Sequence, residues 1–401
     1  MKGAAPIRSD ERIVAIDVVR GFALFGVLWM NLQGHTDWVV TPAMLAAMPT
    51  QAIDEYLAPI ARWLMAGKAQ TLFSILFGFG FANMMSRLED RGLPAGRIFL
   101  RRLTILLAVG MVDMLLLWNG DILLPYAMMG YLLFMLRGLS ARTLLFAGLF
   151  LTLALWPLVF LSVDIFYGGV APWAAAGDKG MEIRSQLFQQ SDYPAYVAEL
   201  WRAWWIELFP QIMMVGFFGQ ILGRFMLGTW LFRKGWLQHP EAHKDMFAKV
   251  AGIGLSLGLS LSAMTVWNDA LLQMPTWLMM FVRSAANLVL AAGYAAALVH
   301  LVISGRLGWL FAGLGAVGRT ALSNYMAQSF LYLFVIYGFG LNLLPYLGAT
   351  LSLALALGFF FLQMIVSRWW MHRYRFGPLE WLWRSATYGE RQPMKLAAAQ
   401  P

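Results

Sequence analysis

No cysteine occurs among the 401 residues, which removes disulfides, thiolate metal ligands and thiol nucleophiles from consideration. Charge is also scarce. Lys, Arg, Asp and Glu make up 13% of the chain, where a soluble domain carries roughly 25%, so the polar surface that would keep a globule of this size in water is missing. There are only five histidines, and none has a metal-site setting. His239 and His243 stand four apart, but Pro240 occupies the place where the zinc-protease pattern needs Glu on an unbroken helix. Apolar residues, by contrast, are abundant. Hydrophobic side chains make up 60%, with 18 Trp and 13 Tyr, a composition suited to aromatic belts at two membrane interfaces. Soluble, disordered and disulfide-stapled classes are excluded, and an all-α, polytopic membrane protein is expected.

Ten apolar runs are long enough to cross a bilayer: 14–33, 69–86, 103–118, 121–136, 142–162, 199–223, 248–267, 277–303, 320–338 and 348–367. Lys2, Arg8 and Arg12 precede the first, as in a signal peptide, but that run is too long and holds Asp17 and Arg20. It reads as an uncleaved span. With the N-terminus inside, the inner segments carry 23 of the 30 Lys and Arg and the outer segments four, which matches the positive-inside rule and puts both termini in the cytoplasm. The expected organisation is a single domain over 1–401, with an extracytoplasmic cap at 163–198 and a cytoplasmic amphipathic tail at 368–401. The formal charge of +9 then reflects topology and anionic lipid headgroups, and nucleic acid is not an expected partner.

Gly313-Leu-Gly315-Ala-Val-Gly318 spells a dinucleotide fingerprint, but no strand precedes it, so close packing of small residues or a re-entrant turn is expected. Gly78 and Gly80 are read either as a break in the second span or as helix packing. Ionisable groups within spans are stronger pointers, because burying them in hydrocarbon is costly and they usually face polar cavities. Asp17, Arg20, Asn31 and His35 share one stripe of the first span. Asp113 lies near the outer end of the third, and Asn119 and Asp121 lie in the Asn-Gly-Asp turn joining it to the fourth. Glu207 and Arg283 sit at similar depth, with a Glu207–Arg283 salt bridge as the alternative. Asp17, Arg20, Arg319, Asn324, Gln328 and His300 form a second layer nearer the inner face.

Four stretches resemble the YeiB-like family of bacterial inner-membrane proteins, a group defined by a domain of unknown function. They are Asp17-Val-Val-Arg20-Gly21 with Asn31; Thr71–Gly80; Arg101-Arg102 with Gly120-Asp121 and Tyr126; and Gly318-Arg319 through Asn324-Tyr325 to Gln328-Ser329, followed by Phe376–Arg384. The Asp-x-x-Arg-Gly start with a later Asn is also similar to the first helix of the transmembrane acyltransferase superfamily. That resemblance implies transfer of an acyl group from cytoplasmic acyl-CoA or acetyl-CoA to an envelope glycan or small acceptor near the outer face. It implies His35 as general base, with Asp113, where YeiB-like sequences commonly have His, as the alternative. Asn31 and Asp121 would position the acceptor or oxyanion, and Arg20, Arg101, Arg102 and Arg319 would hold the CoA phosphates. No metal is expected. A transporter or flippase for a small polar or amphipathic solute would use the same polar layers as a path.

Overall fold

Hydrocarbon offers no partner to a backbone N–H or C=O, so a chain of this composition must satisfy its backbone within helices. The computed structural model describes residues 13–168, 174–208, 213–306 and 308–396, and among these the regular structure is helical, with one isolated bridge between Tyr374 and Lys395. The first helices in chain order are α1 (Val14–Val39), α2 (Pro42–Ala46), α3 (Gln51–Leu64), α4 (Lys68–Asp90), α5 (Ala95–Val112) and α6 (Leu123–Met135). They are followed by α7 (Ala141–Leu153), α8 (Leu155–Tyr167), α9 (Ala174–Leu187), α10 (Tyr193–Ala203), α11 (Met213–Lys234) and α12 (Lys244–Val266). The last are α13 (Asn268–Leu271), α14 (Thr276–Ile303), α15 (Gly308–Arg319), α16 (Ala321–Leu331), α17 (Ala349–Met371) and α18 (Pro378–Tyr388). Seven helical stretches among the described residues are long and apolar enough to cross a membrane. Large apolar side chains such as Phe146, Phe166, Ile253 and Phe361 are exposed on them, as expected of surfaces that face lipid. The protein is a helical membrane protein.

α1 is the central post, packed against α4, α14, α15 and α17. Its crossing with α15 is close because both helices lack side chains there. A Cβ on Gly21 would run into the Leu314 carbonyl, and one on Gly318 into the Asp17 carbonyl. The Gly313–Gly318 string therefore lies on a helix and serves packing. Gly78 likewise lies against the Phe225 backbone, and α4 runs unbroken through Gly78 and Gly80. His239 and His243 fall at a short 3-10 turn, where Nδ1 of His243 lies 3.1 Å from the His239 carbonyl.

Two apolar runs depart from expectation. Residues 199–223 do not make one span. α10 and a π-helical turn at Trp204–Leu208 occupy the first part, and the long apolar helix is α11. Glu199 explains the departure: Arg184 reaches it at 3.4 Å and Arg202 at 2.6 Å, so α10 belongs to a charged assembly with α9. Arg224, expected in an inner loop, is instead buried in α11. Residues 304–319 are likewise not a loop but largely the helix α15. The 320–338 run begins at a break on Thr320 and ends in another π-helical turn, Tyr332–Ile336. The segments expected at 1–12 and the Pro172 part of the cap lie outside the described residues, as does the Glu207 side chain. The charged neighbours of Arg283 include Asp37, Arg62 and Lys68.

Candidate functional site

Two cavities lie on either side of a thin partition. One, of about 290 Å³, is lined by five arginines from five helices: Arg20 of α1, Arg87 of α4, Arg102 of α5, Arg319 of α15 and Arg384 of α18. Its two carboxylates are already engaged. Asp17 accepts from Arg20 at 2.9 Å. Glu380 takes the backbone N–H groups of Leu322 (2.6 Å) and Ser323 (3.1 Å) and the Ser323 hydroxyl (2.6 Å). Burial pushes the Glu380 carboxyl up, and these donors oppose that push. Among the described residues that line it, five arginines stand against two carboxylates. An aromatic wall adjoins it: the Arg102 guanidinium stacks 3.6 Å from the Trp383 ring centre, and Trp383 Nε1 donates to the Arg102 carbonyl at 3.0 Å.

The second cavity, of about 350 Å³, is lined by Asn31, Gln70, Asn119 and Asp121 among methionines and aromatic rings. Val27, Ile122 and Tyr325 border both cavities. Tyr325 is the polar part of this partition. Its hydroxyl donates to Asp121 at 3.1 Å and accepts the Ile122 N–H at 3.1 Å.

The tight turn between α5 and α6 brings two carboxyls together. Asp121 starts α6 by accepting the N–H groups of Leu123 (2.9 Å) and Leu124 (2.8 Å), a side-chain cap that fits the residue. Asp113 opens the π-helical turn Asp113–Leu117 and accepts from Ser329 at 3.1 Å. Tyr325 and Ser329 are i and i+4 on α16, so they present their hydroxyls one turn apart on one face. The two carboxyls lie near enough that a charge on either acts on the other. Asp113 is fully buried behind Asp121 and does not line either cavity.

His35 is placed differently from what the acyltransferase resemblance implied. It is fully buried in an aromatic cage, 3.7 Å from Trp118 and 4.5 Å from Tyr332 between ring centres, with Nδ1 2.6 Å from the Tyr337 hydroxyl. Neither cavity includes it. Asn31, one turn earlier, does face the second cavity and lies beside the Tyr332 hydroxyl. Arg20, Arg102 and Arg319 meet as anticipated, but Arg101 is exposed and points elsewhere, toward Gly389. Asn324 and Gln328 join α16 to α17 through Ser367 (2.9 Å) and Gln363 (3.2 Å).

The comparisons agree with these motifs. Residues 231–390 match the family model "Protein of unknown function (DUF418)". The chain is 28% identical to "Uncharacterized protein YxaH" of Bacillus subtilis (strain 168), over 98% of this chain and 98% of that protein. It is 27% identical to "Uncharacterized protein YeiB" of Escherichia coli (strain K12), over 94% of this chain and 96% of that one. The chain is YeiB-like. No solved structure matches it.

The site of this YeiB-like chain includes groups that reading the sequence passed over. Arg87, Arg384 and Glu380 line the arginine cavity, and Gln70 lines the other. Tyr325 and Ser329 lie inside a YeiB-like motif, and their i, i+4 spacing was visible. Glu380 is 58 residues from its partner Leu322, and nothing in local pattern joins them. Among the described residues no group of three or more His, Asp or Glu side chains could hold a metal ion.

Proposed function

We propose that this protein is a membrane acyltransferase that takes an acyl group from cytoplasmic acyl-CoA and delivers it to an acceptor near the outer face of the bacterial inner membrane. Counting α5, α6 and the α15–α16 pair with the seven long helices gives ten crossings. An even number returns both termini to the cytoplasm, the side that the loop charges favour. The arginine cavity then faces inward.

One observation carries the reading: a cavity lined by five arginines shares the Tyr325 wall with a cavity that holds Asp121. A CoA donor bears several phosphates, and guanidinium groups bind phosphate oxygens in pairs. Arg20, Arg102 and Arg319 hold them in this scheme, and the thioester passes Tyr325 into the second cavity. The acceptor hydroxyl or amine loses its proton to Asp121 as its O or N bonds to the acyl carbon. The C–S bond then breaks, and the departing thiolate takes up that proton as free CoA. Asn31 and Asn119 present amides at the same cavity and stabilise the oxyanion. Calorimetry on the purified protein tests the donor. CoA binds, and Arg319→Ala weakens it by about one to two decades, the loss of a charged hydrogen bond. Absence of binding at millimolar CoA would overturn the proposal.

The two cavities, divided only by Val27, Ile122 and Tyr325, also favour a second reading, a transporter for a small amphipathic solute. Solute uptake into sealed vesicles without acyl transfer would select it.

A further inference from the structure

The residues that line the second cavity define what can enter it. Its bulk is soft and apolar, formed by Met30, Met65, Met114, Met214, Phe217 and Phe218. Methionine and phenylalanine walls adapt to flexible apolar bodies. Its polar lining groups are Asn31 of α1, Gln70 of α4, Asn119, Asp121 and Tyr325 of α16. No Lys, Arg or His is among the described residues that line it. Lys68, next to the lining residue Gly67, turns its Nζ away to the Arg62 carbonyl (3.1 Å) and the Ser262 hydroxyl (2.7 Å). Arg224 engages Gln220 at 2.9 Å and lines neither cavity. The contrast with the arginine cavity is therefore one of charge sign as well as polarity.

A wall of this cavity is also thin. Trp204, Met214 and Phe217 face inward, while their neighbours Trp205, Ile206 and Val215 are exposed apolar side chains on the outer surface of the same segments. One layer of helix separates the cavity from the lipid-facing surface.

We infer that this cavity is an acceptor site for an amphipathic alcohol or amine that enters from the bilayer with an uncharged apolar body, and that free sugars and anionic amphiphiles do not occupy it. The apolar body rests on the methionine and phenylalanine wall, and the hydroxyl or amine sits at Asn31, Asn119 and Asp121. A carboxylate or phosphate head would meet the Asp113–Asp121 pair with no cation to offset it. A free sugar would leave most of its hydroxyls against apolar atoms, which is costly when they go unpaired. This inference rests on the acyl-transfer reading for the name "acceptor", but the site and its selectivity do not.

The test uses full-length protein in nanodiscs of neutral phosphatidylcholine with three photoreactive probes of equal chain length: a diazirine alkanol, the matching alkylamine and the matching alkanoate. Alkanol and alkylamine are expected to label peptides containing Met114, Met214 or Phe217, and unlabelled alkanol competes. The alkanoate labels these peptides about tenfold less or weaker still. Asp121→Asn removes the carboxylate that pairs with an ammonium, so alkylamine labelling falls relative to alkanol labelling. Labelling confined to Trp205, Ile206 and Val215, equal labelling by the alkanoate, or competition by glucose but not alkanol would each overturn the inference. The readout involves neither CoA nor turnover. Cavity labelling without transfer would defeat the enzyme and leave the site standing, and transfer to free sugar without cavity labelling would do the reverse.

Discussion

The two cavities share α1, α4, α6 and α16 yet differ in almost every chemical respect. The one toward Asp17 gathers five arginines, and its acids are occupied with structural work. The one toward Asp121 has amides, a carboxylate and methionines. Placing charge in a bundle is costly, so keeping such different linings on two sides of Val27, Ile122 and Tyr325 suits two ligands, or two ends of one ligand. Tyr325 itself is neutral and bonded to Asp121 and Ile122. The partition is thus tied to the carboxyl side of the molecule.

The largest expected effect tests whether the second cavity is where chemistry occurs. Asp121→Asn should lower acyl transfer per folded molecule by about 10²–10⁴-fold, the usual contribution of a positioned base, measured by release of free CoA. Retention of full turnover would erase the functional side of the contrast. His35 sharpens it. Emptying its aromatic cage with His35→Ala should cost about 3 kcal/mol, as for other large buried rings, read as a lower melting temperature in detergent. Turnover per folded molecule should change by less than about tenfold. A selective loss of turnover with unchanged stability would restore the histidine as the base.

These two variants also mark what was legible in the sequence. The stripe from Asp17 to His35 and the pairing of Asp113 with Asp121 through a three-residue turn follow from spacing along one helix and one hairpin. The cage around His35 does not, because Tyr332 and Tyr337 lie about 300 residues away and an aromatic residue looks the same to hydropathy whether it faces lipid or a histidine. The 199–223 run shows a related limit. Apolar composition continues across a helix end, so the break near Trp204 is invisible to an average, and only the Glu199 pairing with Arg184 and Arg202 explains it. The resemblance grouped Arg20, Arg101, Arg102 and Arg319 as one phosphate-binding set, but Arg101 faces away from the cavity that the other three line.

That last difference provides a matched control on the arginine side. Arg102→Ala should weaken CoA binding by roughly 10–100-fold, whereas Arg101→Ala, one residue along, should change it by less than about threefold, both by calorimetry. Equal losses would mean that bulk positive charge, not the cavity, attracts the ligand. The smallest expected effect concerns the carboxylate that caps α16 beside the arginine cavity. Glu380→Gln keeps an oxygen for the Leu322 and Ser323 N–H groups but loses the charge, and should lower stability by about 1 kcal/mol, seen as a modest shift in melting temperature. No shift at all would remove Glu380 from the account of α16.

The Glu380 contact also has a bearing on synthesis. The start of α16 depends on a carboxylate that the ribosome adds 58 residues later, and at about 5–20 residues per second that is a wait of several seconds. During that interval the helix that carries Tyr325 and Ser329 has uncapped N–H groups at its first turn, and the divider between the two chambers has not been secured. A product cut short before residue 380 would leave the Leu322 and Ser323 N–H groups at the first turn of α16 without their carboxylate acceptor.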